Sequence, residues 1–198
     1  MSAAQKLRVF FALWPDAETA SHLAALGENL VGGCGGRVMP AANLHMTLAF
    51  IGAVTPAQIE RLVALAAGVR CEAFDLRLDR LGFWPQGGIL WAGCRQAPSC
   101  QRRLFAELAS GVRAAGFTLD ARTPVPHVTL ARRARCASLP RLGTPLGWRA
   151  DEFALVESIA QPVGVRYRVL ETFPLDLPDI PISSLPHHGG CACATPVR

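Results

Sequence analysis

Two His-x-Thr triplets, His45-Met46-Thr47 and His127-Val128-Thr129, each followed by a leucine, combine the residue types needed to move protons on and off a small anion. Side chains alternate across a strand, so His45 with Thr47, and His127 with Thr129, share one face while Met46, Leu48, Val128 and Leu130 pack behind. Each copy therefore presents one imidazole beside one hydroxyl. If the two strands lie side by side, the cleft between them holds two proton-transfer groups and two hydrogen-bonding hydroxyls without requiring a metal. One such triplet alone would read equally as a hydrogen-bonded core histidine or a catalyst. Random order of this composition would give only about 0.2 triplets, and two occur here in matching apolar contexts.

The elements around the triplets fall into two similar runs. Lys6 to Leu13 reads as a strand, and Asp16 caps a helix to about Leu30 with Leu23, Leu26 and Leu30 at helical intervals. Gly32, Gly33, Gly35 and Gly36 lack the Lys and Ser/Thr of a phosphate loop and read as a flexible connection to the first motif strand, which ends near Gly52. Thr55 and Pro56 start a helix whose stripe is Ile59, Leu62, Val63 and Leu65. Phe74 to Phe83 alternates as a half-buried strand, with Gly88 to Cys94 as its hairpin partner. A helix from about Ser99 to Ala115, ended by Gly116, and a loop with Pro124 and Pro126 lead to the second motif strand. From Leu13 to His45 is 32 positions and from Gly93 to His127 is 34, a degenerate duplication. Two strands, Glu152 to Ala160 and Arg166 to Phe173, complete the core. The pattern predicts an α+β fold: a bilobal, pseudo-twofold duplicated unit with two antiparallel sheets flanking a central cleft and helices outside. One doubly wound parallel sheet is the alternative, weakened by the hairpin. Residues 1–176 form one domain in this reading, and 177–198 a Pro/Gly-rich, flexible tail.

Half of the 198 residues are apolar, yet no apolar run approaches the roughly 18 residues of a membrane span. The opening residues Met1 to Gln5 lack the regions of a signal peptide, so a cytoplasmic protein without membrane association is expected. Seven cysteines, Cys34, Cys71, Cys94, Cys100, Cys136, Cys191 and Cys193, show no zinc spacing and are odd in number, which favours reduced thiols. Cys191 and Cys193 near His187 and His188 read as part of the tail rather than a metal site. A net charge of +5 suits an acidic partner such as nucleic acid. Arg102 and Arg103 read as a solvated helix face. Arg132, five places after His127, breaks the parity of the strand face but can reach a phosphate from the strand's end.

These motifs, together with Arg8-Val9-Phe10-Phe11-Ala12-Leu13, Asn43-Leu44, Leu90-Trp91-Ala92-Gly93 and Glu152-Phe153, resemble the 2H phosphoesterase superfamily, and within it the RNA 2′,3′-cyclic phosphodiesterase branch, also called 2′-5′ RNA ligase. The resemblance covers about residues 6 to 175. It implies a bilobal fold and metal-free, cofactor-free hydrolysis of an RNA 2′,3′-cyclic phosphate to a 2′-phosphate by a monomer. It also implies that His45 is the proton donor to the leaving oxygen and His127 the proton acceptor, with Thr47, Thr129 and Arg132 on phosphate and Phe11 stacking on a base. From the residues alone the two imidazoles are interchangeable, and Phe11 reads equally as core. Phe83 and Trp84 are weaker contact candidates, and Trp14 reads as filler. The same groups would serve 2′-5′ ligation or a small cyclic-nucleotide phosphodiesterase. A module that grips RNA ends without turnover is the reading from another class, but Arg or Lys would bind an anion better than two His and two Thr.

Overall fold

The computed structural model describes residues 6–119, 125–162 and 164–176. The expected tail, 177–198, and residues 1–5 lie outside the described residues.

The chain opens with β1 (Leu7–Leu13), buried on both faces from Val9 onward. Asp16 then accepts a hydrogen bond from the Thr19 amide and caps α1 (Ala17–Cys34). After the short β2 (Arg37–Val38) and a 3-10 turn (Ala41–Asn43) comes β3 (Met46–Val54), the first motif strand. A capping box between Thr55 and Gln58 starts α2 (Pro56–Ala67). β4 (Phe74–Leu78), β5 (Arg80–Trp84) and β6 (Ile89–Gly93) precede α3 (Ser99–Ala114). The second motif strand is β7 (His127–Arg132), followed by β8 (Leu146–Ala150), β9 (Glu152–Ala160) and β10 (Val165–Pro174).

The fold is α+β, built on an eight-stranded antiparallel sheet of order β10-β9-β1-β3-β7-β6-β5, with β2 added to β7. Both motif strands lie at its centre. β1-α1-β3 and β6-α3-β7 are the same β-α-β unit, each ending antiparallel to its own first strand. The expectation of two sheets flanking a cleft meets a continuous strand order that is nearly cut in the middle: β3 and β7 share one register pair, Met46 with Val128. Helices cover one face, where Leu23, Leu62, Leu104, Leu108 and Val112 join Val9, Phe11, Met46, Leu48, Val128 and Leu130 in the main core. Burying each such side chain contributes about 1.5–3 kcal/mol. The opposite face carries a small apolar cluster, Phe10, Ala12, Ala154 and Val156, with Trp14 and Tyr167 packed on it.

Three expectations are corrected. The run Phe74 to Phe83 is two strands in two sheets, because Asp79 interrupts it: its amide donates to the Gly93 carbonyl at 3.0 Å and its carboxylate accepts from the Arg95 amide at 2.8 Å. β5 pairs with β6, whereas β4 pairs with β8 in a separate two-stranded sheet. The glycine-rich stretch is not a flexible connection, since α1 continues through Gly32 and Gly33 to Cys34. Gly36, at φ 99°, is where the chain passes against the segment after β7; a Cβ there would lie 2.8 Å from the Ala134 nitrogen and the Arg132 oxygen. The same approach brings Cys34 to Cys136, which form a disulfide rather than two reduced thiols, next to a hydrogen bond from the Arg135 amide to the Cys34 carbonyl at 2.7 Å. Among the described residues, Cys71, Cys94 and Cys100 are free. No helix among the described residues is long and apolar enough to cross a membrane.

Gly82 on β5 faces Trp91 on β6, and a Cβ at position 82 would lie 2.0 Å from the indole. Gly82→Ala is therefore expected to destabilise the protein by about 1–3 kcal/mol through overpacking, read as a lower urea midpoint. An unchanged midpoint would show that the indole has room to move.

Candidate active site

Because Met46 and Val128 both point into the core, the residues flanking them point together to the other face. His45, Thr47, His127 and Thr129 line one pocket with Met39, Asn43 and Arg132. The two triplets, 82 positions apart in sequence from His45 to His127, thus line the same pocket.

Each imidazole is fixed by the backbone two residues before it. His45 Nδ1 lies 2.8 Å from the Asn43 carbonyl oxygen, and His127 Nδ1 lies 2.7 Å from that of Val125. A carbonyl oxygen only accepts, so both Nδ1 atoms carry hydrogen and donate it. In the neutral rings, Nε2 is then the basic nitrogen left for a ligand.

Arg132 reaches the pocket through a bulge. The β6–β7 register passes from Trp91 opposite Thr129 to Leu90 opposite Ala131, leaving Leu130 as an extra residue. Leu130 and Ala131 are both buried and Arg132 turns outward onto the side of His127 and Thr129. The parity conflict seen in the sequence disappears with that one insertion. β3 carries the same device: its register with β1 skips Leu48, between Thr47 opposite Ala12 and Ala49 opposite Phe11.

The surroundings of the two rings differ. Trp14 stacks on His45, with centroids 5.1 Å apart and planes 11° apart, while Phe10 and Tyr167 close the ring in at 5.0 and 4.9 Å. His127 meets Trp84 edge-on at 4.6 Å, with Trp91 at 6.1 Å. Burial pulls the His45 imidazole from 6.5 down to about 4; the Asn43 carbonyl opposes this, and the charges of His127 and Arg132 add to it. Burial also lowers His127, opposed by the Val125 carbonyl and reinforced by Arg132. The Tyr167 phenol is raised by burial and drawn back by Arg132 and Arg8, which brings both guanidinium groups within electrostatic reach of this wall.

Phe11 is the misplaced candidate. It is fully buried on the helix side against Phe153 and Phe173, so no base can reach it. Its neighbour Phe10 has the opposite parity and faces the pocket. Trp84, a weaker contact candidate from the sequence, does lie against His127, whereas Trp14, Tyr167 and Trp91 were not legible as site residues. The available signal for Trp14 was its parity with Phe10 and Ala12; for Tyr167 it was being the chain's single tyrosine. Among the described residues, no three His, Cys, Asp or Glu side chains come together as metal ligands. The pocket's donors are instead two imidazoles, two hydroxyls and a guanidinium, a set suited to a tetrahedral anion.

Comparison with known proteins gives a consistent match. Residues 13–91 match the family model described as LigT like phosphoesterase. The chain is 32% identical over 169 residues to the RNA 2′,3′-cyclic phosphodiesterase of Escherichia coli, covering 85% of this chain and 96% of that protein. It is 32% identical over 184 residues to the protein of the same name from Thermus thermophilus, covering 85% and 90% respectively. The crystal structure of E. coli LigT complexed with 3′-AMP superposes with a TM-score of 0.81 at 32% identity, over 86% of this chain and 99% of that one. By sequence and by fold, this chain belongs to the LigT-like phosphoesterase family.

Proposed function

We propose that this protein hydrolyses the 2′,3′-cyclic phosphate end of RNA to a 2′-phosphate, with His45 and His127 as a general acid–base pair and no metal or cofactor. The observation that carries this reading is the pair of backbone-tethered imidazoles facing one pocket with Thr47, Thr129 and Arg132. The names of the E. coli and T. thermophilus relatives support the substrate class. One domain, residues 1–176, acting as a cytoplasmic monomer, is sufficient for the chemistry.

In the proposed step, His127 Nε2 accepts a proton from water as the water oxygen bonds to phosphorus. The bond from phosphorus to the ribose 3′ oxygen breaks, and His45 delivers its proton to that oxygen. The products are a 3′-hydroxyl and a 2′-phosphate; exchange with solvent returns the proton to His45 and removes one from His127. In-line displacement requires attacking and leaving oxygens on opposite sides of phosphorus, which two imidazoles from separate strands can flank. The Thr hydroxyls and Arg132 hold the non-bridging oxygens as charge develops. The family resemblance, rather than the near-equivalent tethers, is the ground for taking His45 as donor and His127 as acceptor.

His45→Ala and His127→Ala are each expected to lower kcat by about 10²- to 10⁴-fold on a nucleoside 2′,3′-cyclic phosphate. Turnover in chelator should be undiminished, with the 2′-phosphate as product. Full activity in both variants, or loss of turnover in chelator, would reject the mechanism.

The pH dependence follows from burial. Catalysis needs one proton on the pair, and both imidazoles are lowered in the ligand-free protein, so deprotonation there begins below pH 6.5. The alkaline limb of kcat/KM should therefore lie below 6.5. A bound phosphate anion favours the protonated ring, so the alkaline limb of kcat should lie higher. Coincident limbs above pH 7 would contradict this assignment.

A further inference from the structure

The twin bulges make β3 and β7 equivalent residue by residue. From His45 to Phe50, and from His127 to Arg132, the run is half-buried, buried, half-buried, buried, buried, exposed in both strands. Phe50 is thus the counterpart of the pocket arginine, set on the same face but aromatic. Its register partner is Phe10, which touches His45. A phenyl ring in this position is 45% exposed, and the Arg8 guanidinium carbon lies over it at 4.7 Å from the centroid. Arg8 has the parity of Phe10 and its charge is felt at Tyr167. Cation and ring therefore continue the pocket wall outward, pre-ordered against each other.

We infer that Phe50 and Arg8 form a subsite for the nucleotide immediately 5′ of the one bearing the cyclic phosphate, its base stacking on the Phe50–Arg8 pair and its phosphate drawn to Arg8. This rests on the proposed RNA-end substrate. Distance assigns the neighbour rather than the reacting nucleotide: Phe50 is three residues beyond Thr47, or about 10 Å along the strand, whereas Trp14 and Tyr167 offer nearer aromatic surface at His45 itself. Chemistry assigns a nucleotide: an exposed aromatic ring with a guanidinium on its face stacks on any base and attracts the adjoining phosphate.

The test compares a nucleoside 2′,3′-cyclic phosphate with the dinucleotide carrying the same end, in the wild type and in Phe50→Ala, Phe50→Trp and Arg8→Ala, all checked for unchanged thermal unfolding. Wild type should favour the dinucleotide in kcat/KM by about 5-fold or more, the size of one stacking contact. Phe50→Ala and Arg8→Ala should erase that ratio, chiefly through KM, and Phe50→Trp should keep it. Equal loss on both substrates, or an unaltered ratio in Phe50→Ala, overturns the subsite. Binding of 3′-phosphorylated mono- and dinucleotides, followed by fluorescence, separates the two readings. A Phe50-dependent dinucleotide preference without turnover of either cyclic substrate would remove the enzymatic function and leave the subsite standing. No dinucleotide preference alongside normal turnover would do the reverse.

Discussion

One register pair, Met46 with Val128, joins the two motif strands at the centre of the sheet, and the geometry of the pocket depends on it. Both side chains are fully buried, so alternation leaves His45, Thr47, His127 and Thr129 no choice but the opposite face. The pair is held from behind by α3, whose buried Gln101 donates to the Met46 sulfur at 2.9 Å. Full pairing along both strands would flatten the junction. A single pair brings the motifs side by side and lets the sheet diverge beyond them, leaving space for a ligand.

The same economy governs the chemistry. Each histidine is oriented by the carbonyl of the residue two places earlier, so its tautomer is fixed by local backbone and not by a distant carboxylate. Burial then holds both rings below their ordinary range and keeps the unliganded pocket neutral at the imidazoles, with Arg132 as its positive charge. In the proposed function, an incoming phosphate supplies the negative charge that makes one protonated ring favourable. The aromatic settings are unequal: a Trp14 stack inside a three-sided box around His45, against tryptophan edges around His127. The two motifs thus match in sequence and tether but differ in the aromatic walls around their imidazoles.

The motif residues and most elements were legible because they obey period-2 and helical patterns: β1, β3, α2, α3, β7, β9 and β10 all lie within a few residues of their expected positions. What escaped was whatever depends on a broken period or a contact distant in sequence. The bulges at Leu48 and Leu130 shift parity by one residue, and no composition signal marks them; hence Arg132 looked out of phase, and Phe50 was not singled out. Phe10 and Phe11 are chemically identical neighbours on a strand buried on both faces, so only the placement of the helices decides which of them faces the pocket. β8 is recruited by β4 across 68 to 76 positions, and Cys34 meets Cys136 because glycine lets α1 and the chain after β7 approach closely. The membership of Tyr167 in the site depends on the sheet order, which places β10 beside β9 and β9 beside β1.

The most direct test of the shared pocket is nitrogen NMR of the imidazoles, titrated with pH in the absence and presence of 2′-AMP, with the exposed His22 on α1 as internal reference. Without nucleotide, His45 and His127 should both be largely neutral at pH 7.5 with hydrogen on Nδ1; with it, both Nε2 signals should move and the pair should hold a proton to higher pH, while the His22 signal does not respond to nucleotide. A response confined to one ring, or to neither, would contradict the claim that the two histidines face a single phosphate.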